Sequence, residues 1–330
     1  MRILVTGGAG YIGSETARRF VSAGHDVVVL DDLRRGHREA VERIPLIVGD
    51  VRDLDLVTDT LRRQRIEAVV HFAALKSVEE SVADPGSYFD VNVGGTLAVL
   101  RAMARTGVRR FVFSSSCAVY GMPDRSPVDE SAPLRPMNPY GESKLASEQL
   151  LPWFESAHGI RSAVLRYFNA AGAADDGAHG EDWSDAQNLI PIVMKVAAGQ
   201  EPAVRVFGTD HPTPDGSAIR DYIHVGDLAE AHRCALEAIE TAEQAVIANV
   251  GTGVGASVIE VIEAARRITG RAIPTEPAPR REGDPPAIWA DTSNAESVLG
   301  WRASHGLDDI IRSAWAWHSR HPDGYAEAAA

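Results

Sequence analysis

Tyr140 and Lys144 are the side chains of this 330-residue sequence whose types and spacing most directly suggest chemistry. Residues four apart lie on one face of a helix, so a helix here would bring the phenol and the ammonium together. A free phenol has a pKa of about 10 and is a poor base at neutral pH. Because a neighbouring ammonium favours the phenolate, we expect Lys144 to lower the pKa of Tyr140. The pair predicts a group that accepts and donates a proton.

The residues around this pair indicate the helix and a third polar group. Asn138 and Pro139 match the preferences of an N-cap and of the first helical position. Upstream, the run Ser114–Ser116 ends a candidate strand, and a hydroxyl there could hold a substrate oxygen. The alternative is a surface helix with an exposed tyrosine and lysine. That alternative is disfavoured, because a chain with so few lysines rarely shows Tyr-x-x-x-Lys by chance.

A glycine-rich segment near the start of the chain indicates a dinucleotide site. Residues 6–13 read TGGAGYIG, with three glycines spaced three apart. Between a strand and a helix, such glycines let the backbone approach a pyrophosphate, which the free N–H groups of the helix then bind. Asp31, at the end of the next candidate strand, suits the ribose hydroxyls and would repel the 2′-phosphate of NADP. The sequence therefore predicts NAD, although Arg34 and Arg35 leave NADP open. The positive nicotinamide ring of NAD⁺ is expected to act together with Lys144 in lowering the pKa of Tyr140.

The pattern of elements predicts the fold class. Candidate strands are Arg2–Thr6, Asp26–Leu30, Leu46–Val48, Ala68–Phe72, Arg110–Ser115, Ser162–Tyr167 and Ala245–Val250. Candidate helices are Ile12–Ala23, Leu189–Ala198, Val225–Thr241, Ser257–Thr269 and Gly306–Ser319. Apolar strands separated by helices indicate a parallel sheet covered on both faces. We expect an α/β protein: a doubly wound parallel Rossmann sheet in residues 1–172, to which later segments return, and a second, smaller α/β substrate domain in residues 173–330.

Charge and composition argue against several function classes. The chain has 33 Lys+Arg against 46 Asp+Glu, a net charge of −13, and no basic run, which argues against nucleic-acid binding. Its two cysteines and the pair His318 and His321 lack a metal-ligand pattern, so no metal is predicted. No signal peptide and no apolar run of about 18 residues are seen, so we expect a cytoplasmic protein without a membrane partner.

Taken together, these segments resemble the extended short-chain dehydrogenase/reductases. The glycine segment, Asp31, FSSSCAVYG and the Tyr140–Lys144 pair carry that likeness. Five more segments resemble the nucleotide-sugar 4-epimerases of this family, namely HFAALKSVEESV, NPYGESKL, LRYFNAAGA, FGTDHPTPDGSAIRDYIHVGDLA and APRREGDPPAIWAD. The likeness runs from Met1 to about Tyr325. It implies NAD-dependent epimerisation at C4 of UDP-hexoses, which interconverts UDP-galactose and UDP-glucose.

The resemblance also implies roles for individual residues. Tyr140 would move the proton, Lys144 would hold the nicotinamide ribose, and Ser116 would bond the 4-oxygen of the sugar. The implied NAD contacts are Gly7, Gly10, Tyr11, Ile12, Gly13, Asp31, Asp32, Asp50, Val51, Phe72, Ala73, Ala74, Lys76, Asn92, Ser116, Tyr140, Lys144 and Phe168. The implied substrate contacts are Lys76, Ser116, Tyr140, Asn169, Asn188, Leu189, Phe207, Arg220, Tyr222, Arg281, Asp284 and Ile288.

The implied mechanism returns the cofactor to its starting state. Tyr140 removes the 4-hydroxyl proton while C4 gives a hydride to NAD⁺, the 4-keto sugar turns in its pocket, and the hydride returns to the other face. Three alternatives are weighed against it. A nucleotide-sugar dehydratase would need an Asp-Glu pair where this chain has Ser116-Cys117-Ala118, an NAD-sensing module would not need the Tyr-Lys pair, and an ordinary oxidoreductase would need added NAD.

Two departures from the family pattern bear on the substrate range. Ala118 stands where a threonine is usual, so one hydroxyl near the sugar is missing. Ile288 stands where bacterial members often have a tyrosine that limits the pocket, so UDP-N-acetylglucosamine is an alternative or additional substrate. The competing interpretation is that Ile288 repacks and the pocket stays closed. The family also implies a homodimer, through helices within residues 84–106 and 140–158.

Overall fold

The structure is a computed structural model that describes residues 1–183, 187–242, 244–281 and 283–325. Thirteen strands are formed within these residues. They are β1 (Arg2–Thr6), β2 (Asp26–Asp31), β3 (Leu46–Val48), β4 (Ala68–His71), β5 (Arg110–Ser114), β6 (Arg161–Tyr167), β7 (Asn169–Ala171), β8 (Val204–Phe207), β9 (Ile219–His224), β10 (Val246–Val250), β11 (Gly255–Ser257), β12 (Thr275–Ala278) and β13 (Ala287–Ile288).

Eleven α-helices accompany these strands in the described residues. They are α1 (Tyr11–Ser22), α2 (Leu54–Arg63), α3 (Val78–Ala83), α4 (Pro85–Tyr88), α5 (Gly95–Thr106), α6 (Pro139–His158), α7 (Leu189–Ala197), α8 (Val225–Thr241), α9 (Val258–Thr269), α10 (Ser293–Leu299) and α11 (Leu307–His318). A π-helical turn, Phe89–Gly94, joins α4 to α5. None of the described helices is long and apolar enough to cross a membrane.

A seven-stranded parallel sheet forms the centre of the molecule. Its strand order is β10-β6-β5-β4-β1-β2-β3, and every neighbouring pair is parallel. The order reverses direction next to β1, so a crevice opens at the carboxyl ends of β1 and β4, where such folds bind ligands. This topology confirms the predicted doubly wound α/β fold.

Apolar side chains on both faces of the sheet explain why its strands are continuous hydrophobic runs. One core layer joins alternate strand residues, such as Ile3 and Val5, to α1 and α8. The other joins Leu4 and the intervening residues to α2 and α5. Because both faces are covered, alternation between apolar and polar residues is not required along these strands.

The later half of the chain supplies two small sheets and a separate core. Strand β9 pairs with β7, β11 and β13, and β8 pairs with β12. A third apolar cluster lies under α7, α9 and α11. The chain does not stay in this half, because β10 joins the large sheet beside β6 and α8 packs against α1.

Local boundaries differ from the sequence expectations by one or two residues. For example, α1 starts at Tyr11 and β5 ends at Ser114. Helix α2 was missed by the periodicity argument, although Asp53 caps it through hydrogen bonds from Asp55 N and Leu56 N. Strands β7, β11 and β13 have three residues or fewer and depend on long-range pairing, so no local pattern predicts them.

Asp221 holds strand β9 in place. The carboxylate is fully buried and accepts hydrogen bonds from Thr252 N and Oγ1, Gly253 N and Ala290 N, at 2.7–3.2 Å. It thus ties β9 to the loop before β11 and to the segment after β13. Since residues 220 and 222 flank this anchor on β9, their positions depend on it.

We predict that Asp221→Ala lowers the free energy of unfolding by about 3 kcal/mol, because it leaves backbone N–H groups without acceptors. Asp221→Asn keeps one acceptor oxygen and should cost less. Urea unfolding measures both, as a lower midpoint at constant m value. An unchanged midpoint for Asp221→Ala would contradict the anchoring role.

Candidate active site

The turn between β1 and α1 provides a cradle for a phosphate group. Gly7 has a φ of +68°, and a Cβ atom there would lie 2.5 Å from Ala73 N. A Cβ at Gly13 would lie 2.3 Å from Gly7 O. Gly10 is the N-cap of α1, and no side chain caps the helix. The first N–H groups of α1 therefore stay available to an anion, which the helix dipole also favours.

Asp31 lies beside this turn at the end of β2. One carboxylate oxygen accepts a hydrogen bond from Ala9 N at 2.9 Å and the other from Leu33 N at 2.8 Å. Burial raises the pKa of Asp31, and these two hydrogen bonds oppose the shift. The carboxylate of Asp32 accepts a hydrogen bond from Arg34 N and pairs with the Arg34 guanidinium. The fixed carboxylate and the open helix end fit the ribose and pyrophosphate of a dinucleotide.

The other expected NAD contacts follow the carboxyl ends of neighbouring strands. After β3 come Asp50 and Val51, after β4 come Phe72, Ala73, Ala74 and Lys76, after β5 comes Ser116, and after β6 comes Phe168. One of them is already engaged by a protein group, since Asp50 pairs with Arg52, which lowers the pKa of Asp50. The expected contacts thus share one edge of the sheet.

Asn92 is positioned by the π-helical turn and is bonded entirely within the protein. Its Oδ1 accepts from Leu75 N at 2.8 Å, and its Nδ2 donates to Leu75 O and to Ser143 Oγ. The side chain is 2 % exposed. These bonds join the loop that carries Lys76 to helix α6, so Asn92 holds that loop and the helix in a fixed relative position.

Helix α6 presents Tyr140 and Lys144 on its buried face. The side chain of Asn138 caps the helix by accepting from Gly141 N at 2.9 Å, as expected. The hydroxyl of Ser116, which follows β5, lies close enough to the phenol of Tyr140 to lower the pKa of Tyr140. Lys144 Nζ donates to Ser114 O at 2.8 Å. Tyr140, Lys144 and Ser116, which the sequence analysis singled out, are therefore brought together at the carboxyl end of β5.

The expected lowering of the pKa of Tyr140 depends on Lys144 and the nicotinamide ring together, and the protein groups without the cofactor have the opposite net effect. Burial raises the pKa of Tyr140 well above the usual tyrosine value, the nearby Tyr167 adds to this, and the Ser116 hydroxyl opposes it. Lys144 instead directs its ammonium to a backbone carbonyl, and burial lowers its own pKa to about 8, with Glu148 opposing. Desolvation thus outweighs the attraction between the pair.

A buried ion pair, which sequence reasoning missed, supports this helix. Glu148 accepts from Ser115 Oγ and forms a two-pronged bridge to Arg166, whose Nη2 lies 2.6 Å from Glu148 Oε2. Arg166 also donates to the phenol of Tyr120 at 3.1 Å. The position of Glu148, four residues after Lys144 on the same face, was the available signal.

No carboxylate follows the serine strand. Cys117 lies next to Ser116, and burial raises the pKa of its thiol to about 12. A thiol with that pKa is neutral at physiological pH and is a poor acid–base group. The site therefore lacks the acidic pair that the elimination of water would need.

A cleft of about 500 Å³ gathers most of the expected substrate contacts. They are Asn169, Asn188, Leu189, Phe207, Arg220, Tyr222, Arg281 and Asp284. Arg281 lies over the ring of Phe207, 4.0 Å from its centroid, and Arg220 pairs with Asp284 at 3.7 Å. The cleft also contains Lys195 and Arg205, which the sequence did not single out. Several cations beside an aromatic ring suit a diphosphate linked to a base.

Ile288 is placed differently from the other expected substrate contacts. It is 5 % exposed and belongs to an apolar cluster with Val119, Tyr120, Val128 and Phe168. It does not line the cleft described above. The side chain thus packs among these apolar neighbours.

One group of side chains in the described residues has the composition of a metal site. It comprises Asp175, His224 and His305, with ligand atoms within 4.8 Å of one another. His224 Nδ1 accepts a hydrogen bond from Gly226 N, so the Nε2 of the neutral ring carries the proton and has no lone pair to offer. The two rings also stack, 4.2 Å apart, and do not face a common point. The cluster is a packing arrangement, as are the stacks of His318 on Trp183 and of His321 on Trp317.

Comparison with known proteins decides the family. Residues 3–251 match the model of the NAD-dependent epimerase/dehydratase family. The chain belongs to this family. A UDP-glucose 4-epimerase from Lacticaseibacillus casei is 45 % identical over 329 residues, which cover 99 % of each chain.

Solved structures of family members superimpose on nearly the whole chain. The UDP-glucose-4-epimerase of Stenotrophomonas maltophila, crystallised with NAD and formylated UDP-arabinopyranose, has a TM-score of 0.95 and 43 % identity and covers 98 % of this chain and 99 % of its own. The enzyme from Bifidobacterium longum, crystallised with NAD⁺ and UDP, has a TM-score of 0.92 and 40 % identity and covers 98 % and 100 %. The family and the fold that the sequence resembled are both confirmed.

We predict that Lys144 titrates at a pH of about 8 in the folded protein, below the 10.5 of an ordinary lysine. Its side chain is charged below that pH and neutral above it. Because the unfolded chain holds the extra proton between those values, the cost of burying Lys144 fades as the pH rises through that window. With three lysines in the chain, ¹³C-labelled lysine NMR resolves each one, and Lys144→Arg assigns the signal. A midpoint near 10.5 would contradict the burial argument.

Proposed function

We propose that this protein is an NAD-dependent epimerase that inverts C4 of UDP-hexoses, converting UDP-galactose into UDP-glucose and back. The observation that carries the proposal is that Tyr140, Lys144 and Ser116 meet at the carboxyl end of β5, on the sheet edge that also carries the glycine turn. The cationic cleft supplies the contacts for a nucleotide sugar. Relatives that match over nearly the full chain and carry the name UDP-glucose 4-epimerase support the choice of substrate.

The dinucleotide is held by the groups that the fold gathers at the carboxyl edge. The N–H groups at the start of α1 bind the pyrophosphate, and Asp31 accepts hydrogen bonds from a ribose. When bound, NAD supplies the acceptor and the donor of the hydride. We assign residues 1–172, together with α8 and β10, to this task and the remaining segments to the nucleotide sugar.

Tyr140 moves the proton in both directions. Its phenolate takes the proton of the 4-hydroxyl as that carbon becomes a carbonyl, and the phenol returns it in the second half of the cycle. Burial disfavours the phenolate, so a positive charge brought by the oxidised cofactor is needed to favour it. Ser116 holds the oxygen in line with the phenol, and Lys144 fixes the end of β5 through Ser114 O.

The nucleotide serves as the anchor and the hexose stays free to turn. Arg220 and Arg281 bind the diphosphate, and Phe207 packs beside the base. Since the anchor provides most of the binding free energy, the sugar can be held weakly enough to present either face of C4. Two rival activities are disfavoured. Elimination lacks its acidic pair, and the relatives named UDP-glucose 4-epimerase do not favour UDP-N-acetylglucosamine as the substrate.

We predict that the purified protein forms UDP-glucose from UDP-galactose without added cofactor, and that Tyr140→Phe lowers kcat by about 100- to 10,000-fold. The variant removes only the hydroxyl that moves the proton, so the fold should persist. Tyr120→Phe is the matched control, because its hydroxyl bonds to Arg166 and Asn249 and touches no reacting group. A chromatographic assay of both UDP-sugars measures turnover. A dependence on added NAD, or full activity in Tyr140→Phe, would contradict the proposal.

We also propose that two copies associate through α6 and the helices before it. Four apolar side chains on these elements are exposed: Val78 at 48 %, Val82 at 64 %, Phe89 at 43 % and Trp153 at 75 %. A large ring left in water at the middle of a helix is costly and indicates a contact surface. Pairing the helical segments 84–106 and 140–158 with their copies would give the four-helix arrangement that the sequence resemblance implies.

We predict that Trp153→Glu converts a dimer into a monomer, because it places a charge at the centre of the proposed contact. Light scattering after size exclusion at micromolar concentration measures the mass. Val254→Glu is the control, since Val254 is 69 % exposed but lies in the loop before β11. A monomeric wild type, or a Trp153→Glu protein that remains dimeric, would exclude this interface.

A further inference from the structure

Glu181 is a buried carboxylate between the cofactor edge of the large sheet and the cleft. Its side chain is 7 % exposed, and it belongs to the segment between β7 and α7. Its backbone oxygen accepts a hydrogen bond from Trp317 Nε1 at 3.2 Å, and its neighbour Gly180 accepts one from Tyr325 Oη at 3.1 Å. The backbone at Glu181 is therefore fixed by the packed end of the chain.

A single oxygen of Glu181 binds two of the expected ligand contacts. Oε1 accepts from Lys76 Nζ at 3.1 Å and from Asn188 Nδ2 at 3.0 Å. Lys76 extends from the cofactor edge of the sheet, and its side chain is 70 % exposed. Asn188 lies in the cleft. Without the carboxylate, both side chains would be free to take other rotamers in solvent.

Asn188 occupies the N-cap position of α7 but does not cap the helix through its side chain. An asparagine at this position usually accepts a hydrogen bond from the second or third helical residue. The third residue here is Pro191, which has no N–H group, so only Ile190 could be capped in this way. Because Glu181 holds the amide of Asn188, no side chain among the described residues caps the N–H groups of Leu189 and Ile190 at the wall of the cleft.

We propose that Glu181 is a positioning residue that keeps the start of α7 open for the substrate diphosphate and holds Lys76 and Asn188 toward the bound ligands. This inference rests on the proposed function, since it takes the cleft to be the nucleotide-sugar site. The uncapped N–H groups then complement Arg220 and Arg281 on the same anion. Without the Glu181 carboxylate, Asn188 would compete with the diphosphate for the N–H of Ile190.

The charge of Glu181 makes this role separable from a simple electrostatic effect. A carboxylate near an anion site repels the ligand, so a purely electrostatic role predicts that its removal tightens binding. The positioning role predicts that removal of the carboxylate weakens binding. Lys76 and Asn188 would lose their orientation, and the N–H of Ile190 would be capped by Asn188. The sign of the change therefore distinguishes the two explanations.

The experiment is calorimetric titration of the NAD-containing enzyme with UDP. Glu181→Ala should weaken binding by about 10- to 100-fold, and Glu181→Gln, whose amide oxygen still accepts from both partners, should recover most of the loss. Glu276→Ala, which removes one exposed carboxylate on β12, is the control and should bind as the wild type does. In turnover of UDP-galactose, KM should rise in Glu181→Ala far more than kcat falls.

A double variant tests whether Glu181 acts through its neighbour. If it does, adding Asn188→Ala to Glu181→Ala should weaken UDP binding by less than the product of the two separate effects. Unchanged or tighter binding in Glu181→Ala, with normal binding by the wild type, would overturn this inference alone. A wild type that binds no UDP would overturn the proposed function itself. Urea unfolding of each variant shows whether a loss of fold accounts for a loss of binding.

Discussion

The contact between α6 and the end of β5 is the interaction on which the rest of the site depends. Lys144 binds the carbonyl of Ser114, Glu148 binds the hydroxyl of the next serine, and Tyr140 meets the third. Three consecutive serines at and just after the end of β5 are thus matched by three residues spaced four apart on one helix face. A shift of the helix by one residue would break all three contacts at once, so the register of the phenol is strongly determined.

The contact between α6 and the end of β5 contains the buried charges of Lys144 and Glu148. These charges explain why polar partners surround it. Placing an ammonium in the core is unfavourable unless partners compensate. Lys144 finds a carbonyl and the nearby Glu148, and that carboxylate is in turn neutralised by Arg166. Tyr120 and Asn249 continue the network to β10, the strand that returns late in the chain. The seventh strand therefore completes the support of the catalytic helix as well as the sheet.

The sequence predicted the parts of the site whose chemistry is local. Turn glycines, the cap of α6 and the Tyr140–Lys144 spacing act within a few residues, and each is found where it was expected. The direction of the pKa shift of Tyr140 was not predictable, because burial is a property of the whole fold. Glu181 escaped notice for the same reason: its partners lie 105 and 7 residues away, and no motif marks it. The small strands around β9 likewise form only through long-range pairs.

The distribution of lysine has a practical consequence. The chain has three lysines against thirty arginines: Lys144 is buried beside the phenol, Lys76 bridges to Glu181, and Lys195 lines the cleft. Apart from the α-amino group, there is no amine elsewhere on the molecule. Reagents that acylate amines, such as those used to attach dyes or to immobilise enzymes on a resin, would therefore react either at the N-terminus or at the site itself. Conjugation through an introduced thiol would leave both the ligand-facing ammonium groups and the arginines of the cleft intact.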